Sequence, residues 1–232
     1  MFVLEAADGV RQREAMPSLK AFLFDLDGTL IDSLADLAAA VNRMLVEHGY
    51  PERELAVFPK YIGDGVRQLV GRALPEHARS EENIEACLRD YQRHYAEGWH
   101  DRTVVYEGIQ DVLKELKARS FKVGCISNKP HRFTRLCCDH FFPAGTFDAV
   151  LGQRDEVPRK PDPAGAQEAA ALLGVDVAEC AYVGDSGIDM SFARNSGMMG
   201  IGVSWGFRSV EELRENGAAM IVDHPREILA RA

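Results

Sequence analysis

The stretch at 19–29, LKAFLFDLDGT, decides the fold class, because a short and nearly continuous apolar run ends there in two acidic residues. Such a run is typical of a strand that is buried on both faces of a parallel sheet. Similar apolar runs recur at 121–127, 149–152, 181–185, 200–204 and 220–223, with amphipathic stretches at 109–118, 163–173 and 210–215. Strands that alternate with helices predict a doubly wound α/β fold around a parallel sheet.

Residues 34–102 interrupt this alternation, because apolar residues recur there at helical spacing and no convincing strand lies between them. We predict a small helical cap domain at 34–102, inserted into a core domain of 19–33 and 103–232, with an N-terminal extension at 1–18. A loop at 62–65, with the sequence IGDG, separates helical segments of the cap. The periodic apolar positions are Leu34, Leu37, Val41, Leu45, Ile84, Cys87, Leu88 and Tyr91.

Composition excludes several classes of protein. The 27 basic and 36 acidic residues give a formal net charge of −9, which argues against binding to nucleic acid or to an anionic membrane. No apolar run approaches the ~20 residues of a membrane helix. The five cysteines form no CxxC pair and no zinc-ligand spacing. We therefore expect a soluble cytoplasmic protein with reduced thiols, either a monomer or a homodimer.

Polar residues follow four of the predicted strands, at 25–30, 127–129, 159–163 and 184–189. In open α/β sheets the ligand site lies outside the carboxyl ends of the strands. Carboxylates gathered there would repel one another unless a cation sat among them, and a few carboxylates shared with a phosphate suit Mg²⁺. The accompanying lysine and hydroxyl are groups that bind phosphoryl oxygens.

Four motifs, DLDGTLIDS (25–33), SNK (127–129), RKP (159–161) and GDSGID (184–189), together resemble the haloacid dehalogenase superfamily of phosphohydrolases. They occur in the family's order, and the resemblance extends over roughly 19–232. A lone DxD would be a weak signal, whereas the ordered set is a strong one. The resemblance implies a Rossmann-like core with an inserted cap.

The resemblance also implies catalytic roles. Asp25 would be the nucleophile that forms an aspartyl-phosphate, which suits a carboxylate because it is ionised at neutral pH without a base. Asp27 would protonate the leaving oxygen and then deprotonate the attacking water. Ser127 and Lys160 would bind the transferred phosphoryl group, and Lys160 would also balance the charge of Asp25.

The implied cofactor is Mg²⁺. The Asp25 carboxylate, the Asp27 backbone carbonyl and Asp185 would hold the ion, and Asp189 would complete or orient this ligand set, directly or through water.

Within the superfamily, the cap and the RKPDP segment resemble those of bacterial phosphoglycolate phosphatases, although that family usually has proline where this chain has Ala35 and Glu107. The Gly63 to Gly65 loop would dip toward the active site. Arg67 just behind it would pair with the carboxylate of 2-phosphoglycolate, or it is a solvated helix residue. Thr29 and Asn128 are the remaining candidates for substrate binding.

Three further polar residues lie within these motifs. Lys129 either contacts the phosphate or is a solvated lysine after a strand. Asp32 and Ser33 are predicted to form the N-cap region of the first cap helix, a structural role.

The favoured function is a Mg²⁺-dependent phosphatase acting on a small phosphorylated metabolite, with 2-phosphoglycolate the first choice. Nucleotides, sugar phosphates and pyrophosphate remain alternative substrates. A phosphosugar mutase is the second hypothesis, and it would need cap residues that activate a sugar phosphate. A receiver-type signalling module is a distant third, because it would need neither the cap nor Asp27.

Overall fold

The computed structural model describes residues 18–232, so the predicted extension at 1–18 lies outside the described residues except for Ser18. The strands are β1 (Ala21–Phe24), β2 (Ile31–Asp32), β3 (Val104–Val105), β4 (Lys122–Pro130), β5 (Ala149–Gln153), β6 (Cys180–Gly184), β7 (Met199–Val203) and β8 (Met220–Val222). The α-helices are α1 (Leu34–Glu47), α2 (Val66–Ala73), α3 (Glu81–Gly98), α4 (Ile109–Ala118), α5 (His131–Phe141), α6 (Ala164–Leu173), α7 (Gly187–Ser196) and α8 (Val210–Glu215). Within this described part, no helix has the length and apolar character that crossing a membrane requires.

Six strands form one parallel sheet in the order β5-β4-β1-β6-β7-β8. From β1 the chain moves outward to β4 and β5 and then returns to β6 on the other side of β1, so the winding reverses between β1 and β6. The predicted doubly wound α/β fold is confirmed, and each of the six apolar runs overlaps one of these strands. The point of reversal is where ligand sites lie in such sheets.

The central strand β1 is fully buried along its length, as its apolar sequence predicts. Successive side chains of a strand point to opposite faces. Phe22 and Phe24 accordingly pack in the layer that contains residues of α4 and α5, and Ala21 and Leu23 pack in the layer that contains residues of α6 and α7.

Two core helices, α5 and α7, were not among the predicted elements. In α5 the sequence HRFTRLCCDHF mixes basic, acidic and small residues, and α7 begins inside the GDSGID motif. Their buried faces include small or polar residues, Thr134, Cys137 and Cys138 in α5 and Gly187 and Asp189 in α7, so they give no clear apolar stripe in the sequence.

The cap comprises α1, α2 and α3, which pack around a hydrophobic cluster of their own. The two segments that link this cap to the core are β2 and β3, which pair antiparallel with Ile31 opposite Val105. Strands of two residues are too short to give a periodic pattern, so the sequence did not predict them. The helical insert is confirmed as part of the fold, and its limits at 34 and 102 stay a prediction.

Asp36, in the first turn of α1, joins the start of the cap to its end. Its carboxylate is buried and accepts hydrogen bonds from the backbone N–H groups of Arg102 (2.9 Å) and Thr103 (2.8 Å) and from the Thr103 hydroxyl (2.7 Å). A buried carboxylate is tolerated when donors surround it in this way. These hydrogen bonds hold the start of α1 against the segment that follows α3, where the chain returns to the core.

We therefore expect Asp36→Ala to lower the free energy of unfolding by about 2–4 kcal/mol, because it leaves buried donors without an acceptor. Urea denaturation of the variant and wild type measures the effect. Asp101→Ala, which removes a nearby exposed carboxylate, is the matched control. A loss below about 1 kcal/mol for Asp36→Ala would contradict this role.

Candidate active site

Three carboxylates meet at the carboxyl edge of the sheet. Asp25 follows β1, Asp185 follows the neighbouring strand β6, and Asp189 lies in the first turn of α7. Oxygen atoms of the three side chains lie within 4.8 Å of one another. The structure thus brings together three of the four predicted metal-binding aspartates, with Asp27 two residues beyond Asp25.

Lys160 is the cation among these acids, and its side chain is only 5% exposed. Its Nζ atom lies 2.8 Å from Asp25 Oδ1, 2.8 Å from Asp189 Oδ1 and 2.8 Å from the Tyr182 hydroxyl. These contacts match the three donors of an ammonium group. Burial opposes the charge, but Asp189 and Asp25 outweigh it and raise the pKa of Lys160.

The pKa values of two of these acids, Asp25 and Asp185, are raised. Burial raises the pKa of Asp25 to about 6, and the charge of Asp189 adds to the effect while Lys160 opposes it. Burial, together with the charges of Asp189 and Asp25, also holds the pKa of Asp185 well above its usual range. A divalent cation would relieve this repulsion, and an all-oxygen donor set suits Mg²⁺.

The carboxylates of Asp189 and Asp185 accept hydrogen bonds from different groups. Asp189 uses one oxygen for Lys160 and the other for the N–H (3.0 Å) and hydroxyl (2.6 Å) of Ser186. Asp185 accepts from the Phe207 N–H at 2.7 Å and from the Thr29 hydroxyl at 3.2 Å. Thr29, a predicted substrate-binding residue, is therefore placed behind Asp185 and is fully buried.

Backbone at Gly28 approaches Asp185 so closely that a side chain cannot fit. Its φ is +89°, and a Cβ atom there would lie 2.4 Å from Asp185 Oδ2. Glycine is required at this turn for both reasons.

Asp27 faces a second lysine. Lys129 Nζ lies 2.8 and 3.1 Å from the two Asp27 oxygens, and the Ser33 hydroxyl donates to Oδ1 at 2.6 Å. The Lys129 side chain is only 3% exposed and lies over the ring of Tyr95, so it is not a solvated lysine. Ser33 occupies the N-cap position of α1, but its hydroxyl contacts Asp27 instead of capping the helix. In the sequence, the only signal for the pairing of Lys129 with Asp27 is that Lys129 follows a predicted strand.

Ser127 and Asn128 are buried at the end of β4. The Asn128 amide donates to the carbonyls of Gly63 (3.0 Å) and Lys160 (3.1 Å), and its oxygen accepts from the Lys160 N–H (2.9 Å). Asn128 therefore positions the Lys160 loop and contacts the cap at the same time.

The cap loop (62–65) is held to the core by three side chains, a set of contacts that we name the cap latch. Arg208 donates to the carbonyl of residue 62 (2.9 Å), Asn128 to that of residue 63 (3.0 Å) and Arg159 to that of residue 64 (2.9 Å). Gly63 and Gly65 have φ values of +120° and +88°, which a glycine adopts without strain. The latch closes the cap over the carboxyl edge.

Beneath the latch lies a cavity of about 50 Å³ between cap and core. Its polar lining comes from the core motifs and its apolar lining comes mainly from the cap. The lining residues include Asp25, Asp27, Ser127, Asn128 and Lys129, and on the cap side Leu37, Ile62, Gly63, Gly65, Val66, Leu69, Tyr91, Gln92 and Tyr95. Lys160 lies beside Asp25 just outside this cavity.

Arg67, the predicted partner of a substrate carboxylate, is not brought to the cavity. Its guanidinium pairs with Glu81 and Glu85 at the start of α3, and the side chain is 29% exposed. Gly63 and Gly65, by contrast, line the cavity as expected.

Removing the charge of Asp25 should stabilise the metal-free protein at neutral pH. With a folded-state pKa of about 6 against an ordinary 3.8, Asp25 keeps its proton in the folded state over a pH range in which the unfolded chain has lost it. The free energy of unfolding therefore falls as pH rises through this window, and the deficit persists above it. We expect Asp25→Asn to melt above wild type in EDTA at neutral pH, and this advantage to disappear near pH 4.

Scanning calorimetry at both pH values tests this expectation, with Asp139→Asn as an exposed control. Added Mg²⁺ should raise the melting temperature of wild type more than that of Asp25→Asn. The melting temperatures of Asp25→Asn and wild type could instead differ by the same amount at both pH values. The titration of Asp25 would then not be the cause of the difference.

Known proteins that are similar to this chain identify its family. A family model described as haloacid dehalogenase-like hydrolase matches residues 22–203. A phosphoglycolate phosphatase of Pseudomonas putida is 35% identical over 211 residues, which cover 89% of this chain and 77% of the relative.

Solved structures give the same result. A protein from Lactobacillus delbrueckii subsp. bulgaricus, provisionally assigned as a phosphoglycolate phosphatase, has a TM-score of 0.85 and 33% identity, covering 91% of this chain and 97% of that one. A β-phosphoglucomutase from Clostridium difficile shares the fold with a TM-score of 0.75 at 19% identity, covering 92% of this chain and 96% of the other. The resemblance found in the motifs is thus confirmed, and the chain belongs to the haloacid dehalogenase-like hydrolases.

Proposed function

We propose that this hydrolase is a Mg²⁺-dependent phosphatase that cleaves a small phosphate monoester, with 2-phosphoglycolate the favoured substrate. The observation that supports it most directly is the position of Asp25. Its carboxylate is paired with Lys160, lies beside Asp185 and lines the cavity beneath the cap. The similarity to phosphoglycolate phosphatases supports the choice of substrate.

In the proposed reaction Asp25 is the nucleophile. An oxygen of Asp25 forms a bond to phosphorus while the bond from phosphorus to the ester oxygen breaks. The product of this step is an aspartyl-phosphate. With a pKa of about 6, Asp25 is largely ionised at neutral pH and needs no general base. Lys160 orients the carboxylate and offsets the charge of the phosphoryl group.

Asp27 moves the protons. It donates one to the leaving oxygen as the ester bond breaks, and it then takes one from the water that attacks phosphorus. That second step releases inorganic phosphate and regenerates Asp25. Lys129 and Ser33 hold the Asp27 carboxylate in one orientation through three contacts, which serves a group that must act twice at the same place.

The Asp25 carboxylate, the Asp27 backbone carbonyl and Asp185 would hold Mg²⁺, and Asp189, whose oxygens accept hydrogen bonds from Lys160 and Ser186, would complete or orient the set. When bound, the ion would neutralise charge on the phosphoryl oxygens. Ser127 supplies a hydroxyl for the same group, and Asn128 holds the Lys160 loop in place.

The cap surface favours a hydrolase over the mutase. Of the described cap residues that line the cavity, none is a histidine or lysine that could activate a sugar phosphate. Membership of the family disfavours the receiver-type module. Closure of the cap over the cavity excludes bulk water and limits the size of the leaving group.

We also propose a cytoplasmic location. All five cysteines are free and buried, which suits a reducing compartment.

Phosphate release from a panel of esters tests the proposed function. We expect Mg²⁺-dependent release that is fastest from 2-phosphoglycolate, ahead of glucose phosphates, nucleoside monophosphates and pyrophosphate, and abolished by EDTA. Asp25→Asn should lower kcat at least about 1000-fold with the fold retained, and the exposed variant Asp139→Asn should match wild type.

Faster phosphate release from another ester would support the phosphatase mechanism but contradict 2-phosphoglycolate as the favoured substrate. Activity of Asp25→Asn above a tenth of wild type would contradict the assignment of the nucleophile. Transfer of phosphate between positions of a sugar, with no net release, would favour the mutase.

A further inference from the structure

Two tyrosines on α3 have hydroxyl groups that the fold itself does not use. Tyr91 and Tyr95 lie one helical turn apart, with their rings stacked at 5.7 Å. They are 1% and 3% exposed, and both line the cavity beneath the cap. Neither hydroxyl has a hydrogen-bond partner among residues 18–232.

A buried hydroxyl without a partner is costly, and a phenylalanine would fill the same space without that cost. Tyrosine at both positions therefore points to a partner that the protein chain does not supply. Because the two side chains line the cavity that also exposes Asp25 and Asp27, that partner is a molecule bound there.

Lys129 adds a positive charge to the same wall. Its Nζ atom lies 4.8 Å from the centre of the Tyr95 ring while it contacts both oxygens of Asp27. The wall therefore presents two neutral hydroxyl donors beside an ammonium group. That combination of donors and charge suits an anionic group such as a carboxylate.

We propose that Tyr91 and Tyr95, beside Lys129, bind a carboxylate at the far end of the substrate, while Asp25 attacks its phosphoryl group. The inference rests on the proposed function and deepens it. It assigns the substrate class as a short phosphate monoester with a carboxylate close to the ester oxygen, the class to which 2-phosphoglycolate belongs.

The rest of the cavity supports a short anionic substrate. The cap side is otherwise mostly apolar, with Leu37, Val66 and Leu69, and offers few partners for the several hydroxyls of a sugar. The guanidinium of Arg67, held by two glutamates on α3, is not among the groups that face this space.

The test compares two substrates that differ in the carboxylate. Tyr91→Phe and Tyr95→Phe should each lower kcat/KM for 2-phosphoglycolate about 10-fold or more, because each removes a hydrogen bond to a charged group. The value for ethyl phosphate should change less than about 2-fold. Tyr50→Phe, which removes a cap hydroxyl outside the cavity, should change neither.

The melting temperatures of the two variants distinguish substrate binding by the tyrosines from a role in packing alone. Each phenylalanine variant should melt at or above the wild-type temperature without substrate, since it removes a buried hydroxyl that lacks a partner. Thermal-shift titration with 2-phosphoglycolate should show weaker binding by both variants, and this arm does not depend on turnover.

Equal losses on both esters, or unchanged kinetics and binding for 2-phosphoglycolate, would overturn the inference. A selective loss in Arg67→Ala but not in the tyrosine variants would assign the carboxylate to Arg67 instead. If wild type releases no phosphate from either ester but binds 2-phosphoglycolate through the tyrosines, the proposed function fails and the binding site stands.

Discussion

The active-site architecture depends on one buried cation. Lys160 contacts Asp25 after β1, Tyr182 within β6 and Asp189 in α7, so a single ammonium group joins three elements of the core. Charges removed from water are tolerated only when they are paired and hydrogen-bonded, and removal of one partner leaves the others uncompensated. The positions of the two strand ends and of the first turn of α7 are thus fixed relative to one another by electrostatics as well as by packing.

A second pairing extends this arrangement toward the cap. Ser127, Asn128 and Lys129 are consecutive residues, yet all three line the cavity, and Asn128 also contacts the cap loop while Lys129 contacts Asp27. A regular strand would direct alternate side chains to the same face. The pairing of β4 with β5 shifts register between Ile126 and Pro130, and this irregularity coincides with the three consecutive side chains that line one cavity. The end of β4 therefore connects the proposed acid–base group Asp27, the proposed phosphate-binding groups and the cap.

Local sequence was sufficient to predict the sheet and the acidic cluster, and it was not sufficient for contacts across the cap boundary. Asp25 and Asp185 follow buried apolar strands, and parallel strands place their carboxyl ends at one edge, so these positions are encoded locally. Arg67 and Tyr91 both belong to helical segments whose periodicity is clear. Such a residue can face a cavity, a core or a glutamate, and the outcome depends on which element packs against the helix. Periodicity does not specify that element. Periodicity therefore places Tyr91 among the apolar helix positions. The position of Lys129 after a strand likewise leaves it open between a phosphate contact and a solvated side chain.

The cap latch has a consequence for how this enzyme can diversify. Its acceptors are main-chain carbonyls, which every amino acid possesses, and its donors belong to the core. Substitutions at residues 62 and 64 therefore change the chemistry of the loop while all three acceptors remain. Gly63 is the exception, because its φ of +120° restricts the position to glycine. The latch itself therefore places no demand on the side chains at residues 62 and 64. What restrains them is the hydrophobic cluster of the cap, which includes Ile62, and the ion pair of Asp64 with Arg72.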